Sequence, residues 1–170
     1  MKRIFAAAVC ALAAAGAALA EDAGHERMHM SQMMKDTRTE VDVPDPMKAK
    51  MLANMRAHQE AVAEILAALS KGDGEAAAKI ADARLGANSP GAAACKPDAK
   101  SGAHGDMPMM MASHMPQDMR ALGMTMHTQA SKFAEEAAKV KQGGDLRPAL
   151  AELGQVVQAC NACHAAYRLD

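Results

Sequence analysis

Between residues 47 and 71, side chains that can be buried return at alternating steps of four and three: Met51, Met55, His58, Val62, Ile65 and Leu69. This narrow seam predicts an amphipathic helix. Asp45 is its expected cap, with Pro46 in the first helical position. Gly72-Asp73-Gly74 stops it and opens a second helix over about residues 75–87, with Ala77, Ile80, Ala81 and Leu85 inward. A third helix is expected over 117–142, turning Met119, Leu122, Met126, Phe133, Ala137 and Val140 to one side. Gly143-Gly144-Asp145 is a tight connection to a fourth, over 145–168, in whose first turn Pro148 is tolerated. Its expected buried face is Leu146, Leu150, Leu153, Val157, Cys160, His164 and Tyr167.

Two stretches lack this period. Residues 21–46 read as a loose, flexible extension carrying His25, Met28, His29, Met30, Met33 and Met34. Residues 88–116 form a long break with Cys95, His104, His114, Met107, Met109, Met110, Met111 and Met115. A structureless loop of that length in a compact domain is functional or disordered. Four amphipathic helices, two of their three joints short and no strand pattern, predict an all-α fold: an antiparallel four-helix bundle over 47–170.

The first twenty residues change the compartment. Lys2 and Arg3 precede an apolar run from Ile4 to Leu19, and Ala18-Leu19-Ala20 is a small-x-small cleavage site, so a secretory leader is expected. The run is too short and too weakly apolar for a membrane span. No small residue precedes Cys10, which argues against a lipid anchor. Export from a bacterial cytoplasm means the periplasm.

Composition narrows the possibilities further. The formal net charge is -1, and removing Lys2 and Arg3 takes it to about -3, too mild for a nucleic-acid or anionic-membrane partner. Outside the leader the cysteines are Cys95, Cys160 and Cys163, which is no disulfide framework. Aromatic side chains are few: no Trp, one Tyr and two Phe, one of them Phe5 in the leader. Alanine-rich helices bury little area each, and a large flat cofactor would supply the missing apolar bulk.

The chemistry lies near the C-terminus, in Cys160-Asn161-Ala162-Cys163-His164. Cys-x-x-Cys-His is the signature of covalent c-type haem: two thiols add to the porphyrin vinyl groups and the histidine binds iron. At steps of three and four the three side chains share one helix face. A thioredoxin-like redox pair would need a βαβ setting, and a structural zinc site a second Cys/His pair. Neither is present in the pattern.

With this motif at the far C-terminus, followed by Ala165-Ala166-Tyr167-Arg168, and a first helix bearing Met51-Leu52-Ala53-Asn54-Met55-Arg56, the chain resembles the class II cytochromes c. The resemblance implies a left-twisted bundle with haem near one end, held through Cys160 and Cys163, with His164 as proximal ligand. In low-spin members a first-helix methionine takes the sixth site. Counted back from Gly72-Asp73, Met55 falls at that position, with Met51 a turn earlier and His58 a turn later. A helical methionine stripe is also ordinary core. Where many members carry an arginine one turn before the ligand, this chain has Met51, so Arg168 and Arg56 are the candidate partners of the propionates. The family also includes homodimers.

The expected function is electron carriage, not catalysis. His/Met ligation raises the reduction potential and suits one-electron transfer with redox partner proteins. One alternative is a five-coordinate cytochrome c-prime that binds NO or CO. Another is a haem protein that also binds copper through the Met/His-rich segments, since thioether and imidazole are good copper ligands.

Overall fold

The structure is a computed structural model that describes residues 36–96, 107–141 and 143–169. The leader, the stretch from His25 to Met34, and His104 lie outside the described residues. From Arg38 onward the chain forms one compact unit, mostly helical.

Helix α1 runs Asp45–Ser70. Pro44 occupies its cap and accepts from the main-chain N–H groups of Met47 and Lys48 at 2.8 and 2.9 Å, one residue before the expected cap at Asp45. At the other end Gly72 adopts φ +72°, a left-handed conformation that closes a helix without a Cβ penalty. The next residue starts α2, Gly74–Arg84: the Asp73 carboxylate accepts from the Ala76 N–H at 2.9 Å. Gly74 must lack a side chain, because a Cβ there would run into the Ala137 carbonyl and Val140. Helix α2 stops three residues short of expectation, as the chain turns to bury Leu85.

The expected long break contains structure on both sides of its undescribed centre. Pro90–Cys95 forms a 3-10 helix that buries Ala92 and Ala94, and α3 spans Met107–His114. Pro116 then caps α4, Gln117–Ala137, which ends five residues before the expected boundary. Helix α5 runs Arg147–Ala166, with Pro148 in its first turn.

Strands are present, against the sequence expectation. Thr39–Val41 (β1) pairs in parallel with Tyr167–Leu169 (β2), Thr39 opposite Tyr167 and Val41 opposite Leu169. Part of the supposed extension is therefore fixed, with Val41 and Val43 buried, and α5 ends at Ala166 because β2 claims the next residues.

Packing follows chain order. Helix α1 lies on α2, α2 on α4, and α4 most extensively on α5, whereas the backbones of α1 and α5 scarcely approach each other. All four contribute to one core around Phe133, Ile65, Leu85 and Val156. On α5 the buried residues are Ala149, Leu153, Val156 and Ala159, one position round from the expected Leu150, Val157 and Cys160. Ala149 and Ala159 of α5 share the core with Ala130, Ala134 and Ala137 of α4, and these small side chains let the two helices close together, since side-chain size sets interhelical distance. The bulkier Leu150 and Val157 are left exposed.

Phe133→Ala should therefore destabilise the fold by about 3–5 kcal/mol, while Leu150→Ala should stay within about 0.5 kcal/mol, as read by urea unfolding.

Candidate functional site

The last turns of α5 carry Cys160, Cys163 and His164. Both thiols are free and half-buried, and the His164 side is exposed. Burial pushes both thiols up from their ordinary pKa, and at Cys163 the neighbouring Cys160 adds to it. They stand protonated at neutral pH, as thiols and not as thiolates.

Because α1 and α5 stay apart, the space between them is open at this end. Three adjoining cavities of about 120, 180 and 290 Å³ lie there, and Met55 and His164 line all three. Cys160 borders the first and third, Cys163 the first and second. A half-buried methionine from α1 and a histidine from α5 thus share one cleft, with the two thiols along its edge. Leu52 and Val157, apolar yet more than a third exposed, line its two flanks. A flat apolar group in the cleft would cover both, and the residues present fit a porphyrin on that ground.

Met51 is placed differently. It is buried in a separate cluster beside Met111, Met115 and Met119, and it lines only the smallest of the three cavities. Arg56 is exposed on α1. Arg168 lines one cavity with Met55 and His164, but its guanidinium donates to the Glu40 carboxylate on the paired strand. In the same place Arg38 donates to the main-chain carbonyl of His164 at 3.4 Å. Strand β1 therefore straps the turn that bears the histidine. Sequence reading missed Arg38 and Glu40, whose partners lie more than a hundred residues away.

It also missed His127. This side chain is 1% exposed, its Nδ1 2.7 Å from the Leu85 carbonyl oxygen, and its ring meets His58 edge-on at 5.4 Å. The signal was available, because His127 continues the seven-residue stripe with Ala130, Ala134 and Ala137. His58 lines two of the cavities with Met55 and His164. Burial, followed by repulsion from His127 and Arg84, pushes its pKa down to about 4, and burial lowers that of His127 as well. The cleft thus presents a neutral imidazole, able to bind iron or donate a hydrogen bond without adding charge. Arg84 is held nearby by Glu64 at 2.6 Å and by the Ala57 carbonyl at 3.2 Å.

Of the other residues considered for copper, Cys95 is half-buried in the cleft, Met111 and Met115 are buried, and Met107, Met109, Met110 and His114 are exposed. No described helix is long and apolar enough to cross a membrane. The chain matches no protein-family model, no curated protein and no solved structure.

His58 makes stability depend on pH with a definite sign. The unfolded chain takes up its proton near ~6.5, whereas the folded chain resists to about 4. The stabilisation is complete above the unfolded value and is lost as pH falls toward the folded one, by about 3 kcal/mol in the limit. Urea unfolding across that range should show the loss, and His58→Leu should reduce it, leaving the part due to His127.

Proposed function

We propose that this protein is a c-type cytochrome of the class II kind, a four-helix bundle with one covalently attached haem that carries single electrons between partner proteins in the periplasm. The observation that carries the reading is that Met55 and His164 line the same three cavities, with Cys160 and Cys163 at their edge. Chance placement of a Cys-x-x-Cys-His run would not open a cleft toward a methionine on another helix.

The haem, once attached, supplies an iron that cycles between two oxidation states; the protein's part is to hold it and set its potential. Cys160 and Cys163 would anchor the ring to α5. His164 from α5 and Met55 from α1 would hold the iron, and a thioether donor would favour the reduced state. Leu52, Val156, Val157 and Met126 line the cavities with apolar surface and would exclude water from the bound group, which would also favour the form of lower charge. The Arg38 bond to the His164 carbonyl and the pairing of β1 with β2 fix the turn that presents the imidazole. Arg168, already paired with Glu40, and Arg38 place positive charge beside one cavity, where a propionate would lie.

The visible spectrum of the purified protein tests this. Alkaline pyridine should give the bands of a haem bound through two thioethers, and Cys160→Ala with Cys163→Ala should abolish covalent haem. The native spectrum should be low-spin with little response to CO. Met55→Ala should turn it high-spin, lower the potential and admit CO, while Met51→Ala should leave ligation unchanged. A native protein that binds CO at once has an open sixth site and belongs to the gas-binding kind. Absence of covalent haem would sink the reading.

A further inference from the structure

Methionine is not spread evenly through the buried core. The larger cluster has seventeen buried residues and one methionine, Met126. The smaller has eight, and five are methionine: Met47, Met51, Met111, Met115 and Met119. Leucine has nearly the same volume and fixes its rotamers better, and this chain uses leucine, isoleucine and phenylalanine in the larger cluster. Apolar burial alone does not account for the segregation.

A second observation is independent of burial. Met107, Met109 and Met110 on α3 are exposed, at 38, 43 and 44%, so three thioethers stand in solvent beside the buried ones. Met107, Met111, Met115 and Met119 follow at steps of four across the α3–α4 joint at Pro116. This run leads from an exposed thioether to three buried ones.

The donor chemistry selects the ligand. Among the described residues no three His, Cys, Asp or Glu side chains are grouped to hold an ion, which leaves no set suited to zinc, calcium or magnesium. Thioethers are soft, neutral and weak toward hard cations. A buried set of neutral donors must also leave the ion's charge uncompensated, and the penalty for burying charge is least for a monovalent ion. Both arguments point to copper in its cuprous state.

We propose that Met111, Met115 and Met119, closed by Met47 from α1, form a Cu(I)-binding site, with the exposed methionines of α3 as its entrance. These side chains are not the proposed haem ligands, but Met111, Met115 and Met119 border the same cleft, so the site adjoins any haem held there.

The test is to offer Cu(I), without oxygen, to the purified full-length protein against a chromophoric Cu(I) chelator. The protein should withdraw one ion per chain, and X-ray absorption should show a first shell of sulfur. Met111→Leu, Met115→Leu and Met119→Leu together should lose the ion while the circular dichroism stays as in the native protein. If that variant does not fold, Met115→Leu alone serves, read in the same way. A native protein that takes no copper from the chelator overturns the proposal. So does a leucine variant that retains as much as the native chain, since the ion would then be held elsewhere, or a shell made of nitrogen and oxygen.

Discussion

The close approach of α4 and α5 through alanine is the contact on which the rest of the structure depends. Alanine loses little side-chain entropy on burial, and its small size lets the two backbones come near enough for Phe133 and Leu153 to fill the remaining space. With α2 seated on α4 and α1 on α2, the first and last helices are left as neighbours without extensive contact. Had larger side chains spread the four helices evenly, the cleft at Met55 and His164 would have been narrower. The site is a consequence of uneven packing.

The strap of β1 on β2 answers a local difficulty. A helix that ends in Cys160–Ala166 has open carbonyls in its last turn, which need partners. Here the Tyr167 N–H reaches the Cys163 carbonyl and Arg38 reaches that of His164. The strand pairing and the Glu40–Arg168 ion pair hold the donor in place. The ion pair is largely at the surface and adds little stability of its own. Its effect is on geometry, in keeping the turn that carries His164 from fraying.

The molecule has two cores of different character. One is Ala, Leu, Ile and Phe, packed to hold helices together; the other is mainly methionine, joined to the strap and to the underside of the cleft through Cys163 and Tyr167. Thioether side chains are flexible and polarisable, so the second core can adapt to a guest where the first cannot. The neutral His58 and the buried His127 lie toward the cleft from the first core, so the open space has unlike walls.

The four long helices and the Cys-x-x-Cys-His run were legible in the sequence, because both rest on local spacing: apolar side chains at steps of three and four, Gly72 at a forced turn, Cys160, Cys163 and His164 within five residues. Which face of α5 is buried was not. Leu150 and Val157 read as core by hydrophobicity, yet alanine won the interface because closeness of backbones outweighed the size of single side chains. The strands were invisible for another reason. Thr39–Val41 pairs across more than a hundred residues, and no local pattern in three residues records a partner so far away. Met111 and Met115 looked like the contents of a loop, yet they are buried in one cluster with Met47 and Met51 of α1. The sequence by itself determined the four long helices and the reactive groups, since those depend on neighbours in the chain. Tertiary structure alone decided that Met55 lines all three cavities with His164 and Met51 only one, because that depends on which helices touch and which are held apart.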